Sequence, residues 1–400
     1  MSMRFPSGFN RPGYDPLKNP NAPTGVSATG GDASASVAFT PPSNEGGSAV
    51  SAYYAVANDG TTATGSSSPV NVTGLTNGTS YTFQVWALNT YGPGVWSAAS
   101  GSVTPVATVG VFAGDGATYT NTIQYISIAT TGNATDWGDL TSYAYKLAAC
   151  ASSTRGIFAG GAYPTHNIIQ YITFATTGNA ATFGTLTTQR NSFAGCNSDT
   201  RGIFAGGALE AGGRTNVIDY ITIGTTGNTS DFGDLSVGLE QLCGSSSNTR
   251  GLFAGGTDGT ARNYMSYVTI ATLGNAVSFG SLSLPTQQLA ACSSSTRSII
   301  SGGKVLDGTY YVTNVIGYAT IATTGSYADF GDLATTLHIH ASTSSAVRGV
   351  FAGGSITSSP SAVNIISYVT ISSLGNASDF GDLVVSTLDA AGCSNGNGGL

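Results

Sequence analysis

The chain has 400 residues, of which 8% are charged, 40% are apolar and 56 are glycine, a composition that excludes helices with charged wet faces and predicts short strands joined by tight turns. A formal charge of −7 with 13 Lys and Arg in all leaves no basic cluster to neutralise phosphates, which excludes nucleic acid as a partner. No window of about 18 unbroken apolar residues occurs, and the start "MSMRFPSGFNRPGYDPL" lacks the apolar run of a secretion signal, so neither membrane insertion nor Sec export is expected.

Residues 1–19 come first in chain order. Pro6, Pro12 and Pro16 with Gly8 and Gly13 oppose regular structure, while Phe5, Phe9, Tyr14 and Leu17 are too apolar for an indifferent linker. Together with Arg11 they predict an extended anchoring arm that orders in a groove of another protein; a disordered leader is the plainer alternative.

Residues 20–105 alternate short β runs with Gly, Pro and Asn punctuation, as in "APTGVSATGGDASASVAFTPP" and "VTGLTNGTSYTFQVWALNTYGPGVWS". That pattern predicts a small β-sandwich. The run from Leu75 through Tyr81 and Val85 to Asn89 resembles fibronectin type III, with Tyr81 in the tyrosine-corner position and Phe39 where that family usually carries Trp.

Residues 106–400 are repetitive. "VGVFAGD" at 109–115 is followed by "RGIFAGG" at 155–161 and 201–207, "RGLFAGG" at 250–256, "RSIISGG" at 297–303 and "RGVFAGG" at 348–354, at spacings of 46 to 51 residues. Each leads to an apolar run such as "NVIDYITI", a "TTGN" turn and a "DFGDL" element, and is preceded by a small-residue run such as "LAACSSS". Four strands per period of this length predict propeller blades. The third run is apolar on both sides, with Val217, Ile221 and Ile223 opposite Ile218 and Tyr220, as expected of a strand between two other sheets. The first unit lacks its small-residue run, and 388–394 carries one, so a C-terminal strand is expected to complete the first of six blades and cover its edge.

The Gly-Gly after the second strand, the Tyr in the third and the aromatic in the fourth resemble the kelch repeat over 109–400. The expected fold is therefore all-β: a fibronectin type III-like sandwich followed by a six-bladed kelch-like β-propeller. Kelch-like propellers are binding platforms and, less often, enzymes, so this resemblance leaves function open. The whole arrangement of "PGYDPL" arm, fibronectin module and "RGIFAGG" repeats resembles virion proteins of marine and cyanobacterial bacteriophages.

Chemistry-bearing residues are few. "DFG" recurs through the repeats without a Gly-rich loop or "HRD", which excludes a kinase reading, and Asp139, Asp234, Asp332 and Asp382 are expected to pair with repeat arginines or turn amides rather than bind calcium. Arg155, Arg201, Arg250, Arg297 and Arg348 share one repeat position and are expected to brace the fold. The five cysteines, Cys150, Cys196, Cys243, Cys292 and Cys393, read as small core residues near repeat starts, without disulfides. "HIH" at 338–340 places two imidazoles on one strand face without a third ligand nearby. No catalytic residues, metal or cofactor are assigned.

Loop lengths carry more information. Within a four-stranded blade, the one-to-two and three-to-four turns share a face and hardly vary, as "SSST" and "TTGN". The other face diverges: from the second Gly, or Asp115, to the third-strand Tyr the separations are 10, 10, 13, 11, 15 and 14 residues. These loops hold Tyr163, His166, Glu210, Arg214, Asp258, Arg262, Lys304, Asp307, Tyr310 and Tyr311. The four-to-one connections keep their length and change identity, placing Tyr143, Tyr145, Arg190, Gln287, His338 and His340 on the same expected ligand face. Their chemistry suits a glycan. The resulting expectation is a non-enzymatic virion protein, made in the host cytoplasm and carried on the virion surface as capsid fibre, decoration or tail adhesin. Its arm would bind capsid or tail proteins and its propeller a host glycan or receptor. A glycan-processing enzyme and a secreted bacterial adhesin are the alternatives.

Overall fold

A computed structural model describes residues 18–356 and 361–398; the arm residues Phe5, Phe9, Arg11, Tyr14 and Leu17 lie outside the described residues. The protein is all-β, with no helix among the described residues, and divides into two compact units, Met1–Ala107 and Thr108–Leu400.

In the first unit a three-stranded sheet (Thr24–Gly31, Ser34–Thr40, Val70–Thr73) faces a four-stranded one (Thr62–Gly65, Ala52–Ala57, Phe83–Asn89, Gly92–Pro93). Alternation along each strand sends Val37, Val72, Ala55, Phe83 and Val85 into a shared core. Phe39 fills that core, its ring 4.8 Å from Tyr53. The Tyr81 hydroxyl accepts from the amide of Thr76, five residues upstream, at 3.0 Å, the contact expected of a tyrosine corner.

The second unit contains six four-stranded antiparallel sheets. Sheet I consists, in spatial order, of Ala391–Ser394, Val109–Ala113, Thr122–Ser127 and Thr135–Asp139. Sheets II to VI span 148–185, 194–234, 243–281, 290–332 and 341–387. Third strands have two apolar sides because each sheet packs between two others. In sheet III, Ile218 and Tyr220 meet Phe253, Val268 and Ile270 of sheet IV, while Ile221 and Ile223 meet Ile157, Ile169 and Phe183 of sheet II. Val217, expected beside Ile221, stays only part-buried. The same packing recurs at I–II, IV–V and V–VI. It returns to the start at VI–I, where Val350, Ile366 and Phe380 meet Phe112, Ile126 and Ile128.

The first strands neighbour one another in the same cyclic order, and this crowding explains their small residues. Ser293 Oγ donates to Ser246 O at 2.7 Å and Ser344 Oγ to Ser293 O at 2.8 Å, so hydroxyls tie strands that are not in one ladder. All five cysteines are free and buried. A Cβ on Gly202 would lie 2.5 Å from Cys150 Sγ of the preceding sheet, so the thiol occupies the space that the glycine leaves. Cys243 departs from the expected equivalence: it aligns with Ala148, and Ser245 takes the thiol position, bonding Ser298 at 2.7 Å.

The repeat arginines brace the junctions, through carbonyls rather than the repeat aspartates. Arg201 lies over its own sheet's Tyr220, 4.7 Å from the ring centre, and donates to Ile270 O of the next sheet at 2.6 Å. Arg155, Arg250, Arg297 and Arg348 repeat this on Ile223, Ile321, Ile371 and Ile128. The "TTGN" turns stitch in the other direction: Gly227 N donates to Phe183 O at 2.9 Å and Asn228 Oδ1 accepts from Thr185 N at 3.1 Å. At Asp139, Asp234, Asp332 and Asp382 it is the backbone amide, not the carboxylate, that donates to such an Asn.

The strand Ala391–Ser394 pairs with Val109–Ala113 from Ala391↔Ala113 to Ser394↔Gly110. Beyond it, Asn395 Oδ1 accepts from Val109 N at 2.7 Å, and Asn397 exchanges amide hydrogen bonds of 3.2 and 3.3 Å with Asn197 at the head of sheet III. Removing residues 388–400 should lower the unfolding midpoint by ~10 °C or more, because two junctions lose their partner strand. Removing 395–400 should cost less. A 388–400 deletion that unfolds in calorimetry at the full-length temperature contradicts a structural role for this pairing.

Candidate functional site

The two faces of the second unit differ in how far their residues are already committed. On one, Ser152 Oγ accepts from the amides of Thr154 and Arg155, an arrangement repeated in later sheets, and the arginine and Gly-Asn contacts above occupy the rest. Invariance from repeat to repeat there follows from these inter-sheet bonds. The opposite face carries the two-to-three loops and four-to-one connections.

At the centre of that second face, six residues form a closed ring. Ser192 N donates to Lys146 O (2.9 Å), Gln241 to Ser192 (2.7 Å), Gln288 to Gln241 (2.9 Å), Ile339 to Gln288 (3.0 Å), Asp389 to Ile339 (2.9 Å) and Lys146 to Asp389 (2.8 Å). All six are non-glycine residues with φ between 49° and 62°, a left-handed conformation that is costly for Ile in particular. The cyclic bonding compensates each strained backbone. The ring opens on a cavity of about 100 Å³ lined also by Leu147, Phe193, Leu242, Leu289 and His340. Sequence reasoning missed these positions, although each lies two residues before an inner strand and follows a connection of nearly constant length.

Around the ring, Tyr143, Tyr145 and Tyr163, placed by the sequence on one face, come together and are joined by Tyr119, which was not anticipated. Desolvation, then the neighbouring Tyr163 and Tyr119, raises the Tyr143 phenol. His166 is half-buried, neither ring nitrogen has a partner, and burial lowers its pKa. Glu210 is exposed. Arg214 pairs with Glu240 at 2.7 Å, and Arg262 grips Asp258 bidentately at 2.8 to 3.0 Å. Gln287 pairs with Lys304 in an accessory sheet, in which the hairpin Lys304–Asp307 and Thr309–Val312 exposes Tyr310 and Tyr311. The Tyr310 hydroxyl accepts from Ala261 N at 3.1 Å.

Three expected ligand-face residues are buried. Arg190 is 0% exposed: it donates to Asp219 at 2.9 Å and to the carbonyls of Gly206, Val217 and Phe204, and burial brings its pKa down to about 10. His338 is 1% exposed, its Nδ1 3.0 Å from Gln288 Oε1. His340 is 5% exposed, packed on Phe351 with Nε2 2.9 Å from Ser301 Oγ. The left-handed Ile339 between them breaks strand alternation and turns both imidazoles inward. Among the described residues no group of three or more His, Cys, Asp and Glu is placed to hold a metal ion.

In comparisons with known proteins, residues 21–102 match the fibronectin type III domain, in agreement with the sandwich geometry. No curated protein matches the chain.

Two changes test this electrostatic arrangement. Arg190→Leu should destabilise by about 3–5 kcal/mol because Asp219 is left buried without its cation. Adding Asp219→Ser, which reproduces Leu239 and Ser266 of sheet IV, should recover much of the loss in urea unfolding; a double variant no better than the single one contradicts the pairing. In the ring, burial pushes the Asp389 carboxyl from 3.8 up to about 6, against the pull of Lys146. A raised folded pKa means that its stabilisation is complete below pH 3.8 and is lost as pH rises through 6. Asp389→Asn should therefore gain on the parent by at most about 3 kcal/mol between pH 4 and 7. His340, held down at about 3 by burial and His338, acts oppositely, its stabilisation being lost as pH falls below 6.5, so the difference between parent and variant is the quantity to follow. A difference that stays flat with pH contradicts the burial of Asp389.

Proposed function

We propose that residues 108–400 are a six-bladed kelch-like β-propeller and that the protein is a non-enzymatic display protein of a bacteriophage virion. The propeller reading is supported by six sheets each packed between two neighbours in cyclic order and by first strands around a common axis. The binding reading rests above all on the asymmetry of the faces. One is taken up by inter-sheet bonds, while the other varies its loops from sheet to sheet and exposes Tyr119, Tyr163, Tyr264, Tyr310 and Tyr311. Exposed aromatics on a rigid scaffold are the usual means of holding a ligand. The virion assignment rests on the sequence resemblance, with the arm at 1–19 as the link to capsid or tail proteins and the variable face turned to the host surface.

Antibody against the chain should label purified particles of the phage that encodes it, and the full-length protein should adsorb to host cells and compete with those particles. A chain absent from particles and recovered from culture medium would replace the virion reading by a secreted adhesin. Hydrolysis of host polysaccharide, lost on changing a loop Asp or Glu, would replace display by glycan processing.

A further inference from the structure

Tyr119 stands at the centre of an aromatic quartet, its ring centre 6.1 Å from Tyr143, 5.9 Å from Tyr145 and 5.9 Å from Tyr163; Tyr143 and Tyr163 are 6.3 Å apart. The rings come from three segments: the two-to-three loop of sheet I, the connection into sheet II, and the two-to-three loop of sheet II. Tyr119 and Tyr163 are 53% and 66% exposed, and both have positive φ, 55° and 70°. An aromatic L-residue adopts that conformation at an energetic cost. Two strained backbones thus hold two rings toward water beside a third and a fourth.

The chemistry of the patch narrows its ligand. All four side chains are phenols, and the cation over the patch is Lys146, with Nζ 5.6 Å from the Tyr145 ring centre. Elsewhere on the face Arg214 and Arg262 are held by Glu240 and Asp258. An anionic glycan would call for free guanidinium groups, which bind carboxylate and sulfate in bidentate fashion. What the quartet offers is π faces edged with phenol hydroxyls, apolar in the middle and hydrogen-bonding at the rim. A pyranose ring has the complementary pattern, with C–H groups on its faces and hydroxyls around its edge.

We infer that the Tyr119, Tyr143, Tyr145 and Tyr163 quartet is a subsite for a neutral pyranose of a glycan chain, stacked on Tyr119 or Tyr163 and bonded by the surrounding phenols and Lys146. The inference rests on the reading that this face binds ligand, and it names where and what.

The full chain would be titrated with neutral tetrasaccharides of glucose, galactose and mannose, followed by saturation-transfer NMR and tyrosine fluorescence. At least one should receive saturation at its pyranose C–H protons. Tyr119→Ala and Tyr163→Ala should each weaken that binding about tenfold or more, Tyr119→Phe should keep most of it, and Leu374→Ala, an exposed turn residue of the opposite face, should leave it unchanged. Both alanine variants replace exposed side chains, and unchanged thermal unfolding would verify their fold. Failure of every tetrasaccharide at about 10 mM, or binding indifferent to both alanine changes, overturns the inference. Cell adsorption separates the two readings. Parent protein that adsorbs while the double alanine variant adsorbs equally well defeats the quartet and leaves display standing, whereas a parent that adsorbs to no host cell defeats display itself.

Discussion

Each sheet of the second unit has two apolar faces, and everything else in that unit depends on giving both of them a partner. A lone sheet with Ile218 and Tyr220 on one side and Ile221 and Ile223 on the other would expose one set in any open stack. The cyclic order removes the open ends, and completion of sheet I by Ala391–Ser394 ties the first repeat to the last. The polar contacts follow the same order: every arginine clamp reaches forward one sheet, and every Gly-Asn turn, Gly-Ser in sheet V, reaches back one. At the I–II junction the clamp is missing, because Val109 holds the arginine position. Trp137 there packs edge-on to Tyr125 and Phe174 at 5.2 and 6.3 Å, so larger aromatic area replaces the hydrogen bond.

This constraint also separates the faces. Turns that stitch sheets together cannot change without loss at two junctions, which accounts for the constancy of "SSST" and "TTGN". Loops on the opposite face are relieved of that duty by the backbone ring through Lys146, Ser192, Gln241, Gln288, Ile339 and Asp389. The ring uses only main-chain atoms, so its side chains and the loops outside it are free to differ. Stability is delegated to backbone bonds where variety is needed.

Much of this was legible in the sequence because it rests on apolar periodicity and repeated motifs. The two-sided third strands, the small inner strands, the bracing arginines, the tyrosine corner and the C-terminal strand all leave side-chain signatures. What was illegible depends on backbone conformation or on the neighbouring sheet. Nothing in "YAYK", "TQQ" or "LDA" announces a left-handed residue, since glycine or asparagine would be the usual sign and neither is used. Arg190 reads as a loop cation until Asp219 and three carbonyls surround it. His338 and His340 read as a strand pair until Ile339 turns the chain.

The repeats are alike without being interchangeable, and this bears on the variable face. Cys150, Cys196, Cys292 and Cys393 each fill the space above a glycine of the next sheet, Gly202, Gly251, Gly349 and Gly156. Sheet IV instead presents Ser245, and sheet V answers with Ser298 at a 2.7 Å hydrogen bond; sheet VI presents Thr343 to Gly110. Exchanging sheet IV for its neighbour would set a cysteine against Ser298, leaving a buried hydroxyl without its partner in a space sized for hydrogen. The order of the sheets is therefore encoded in their junctions, so that each differing loop is delivered to one position in that order. A set of similar repeats thereby builds an asymmetric surface, with four tyrosines gathered at sheets I and II and a charged hairpin at sheet V.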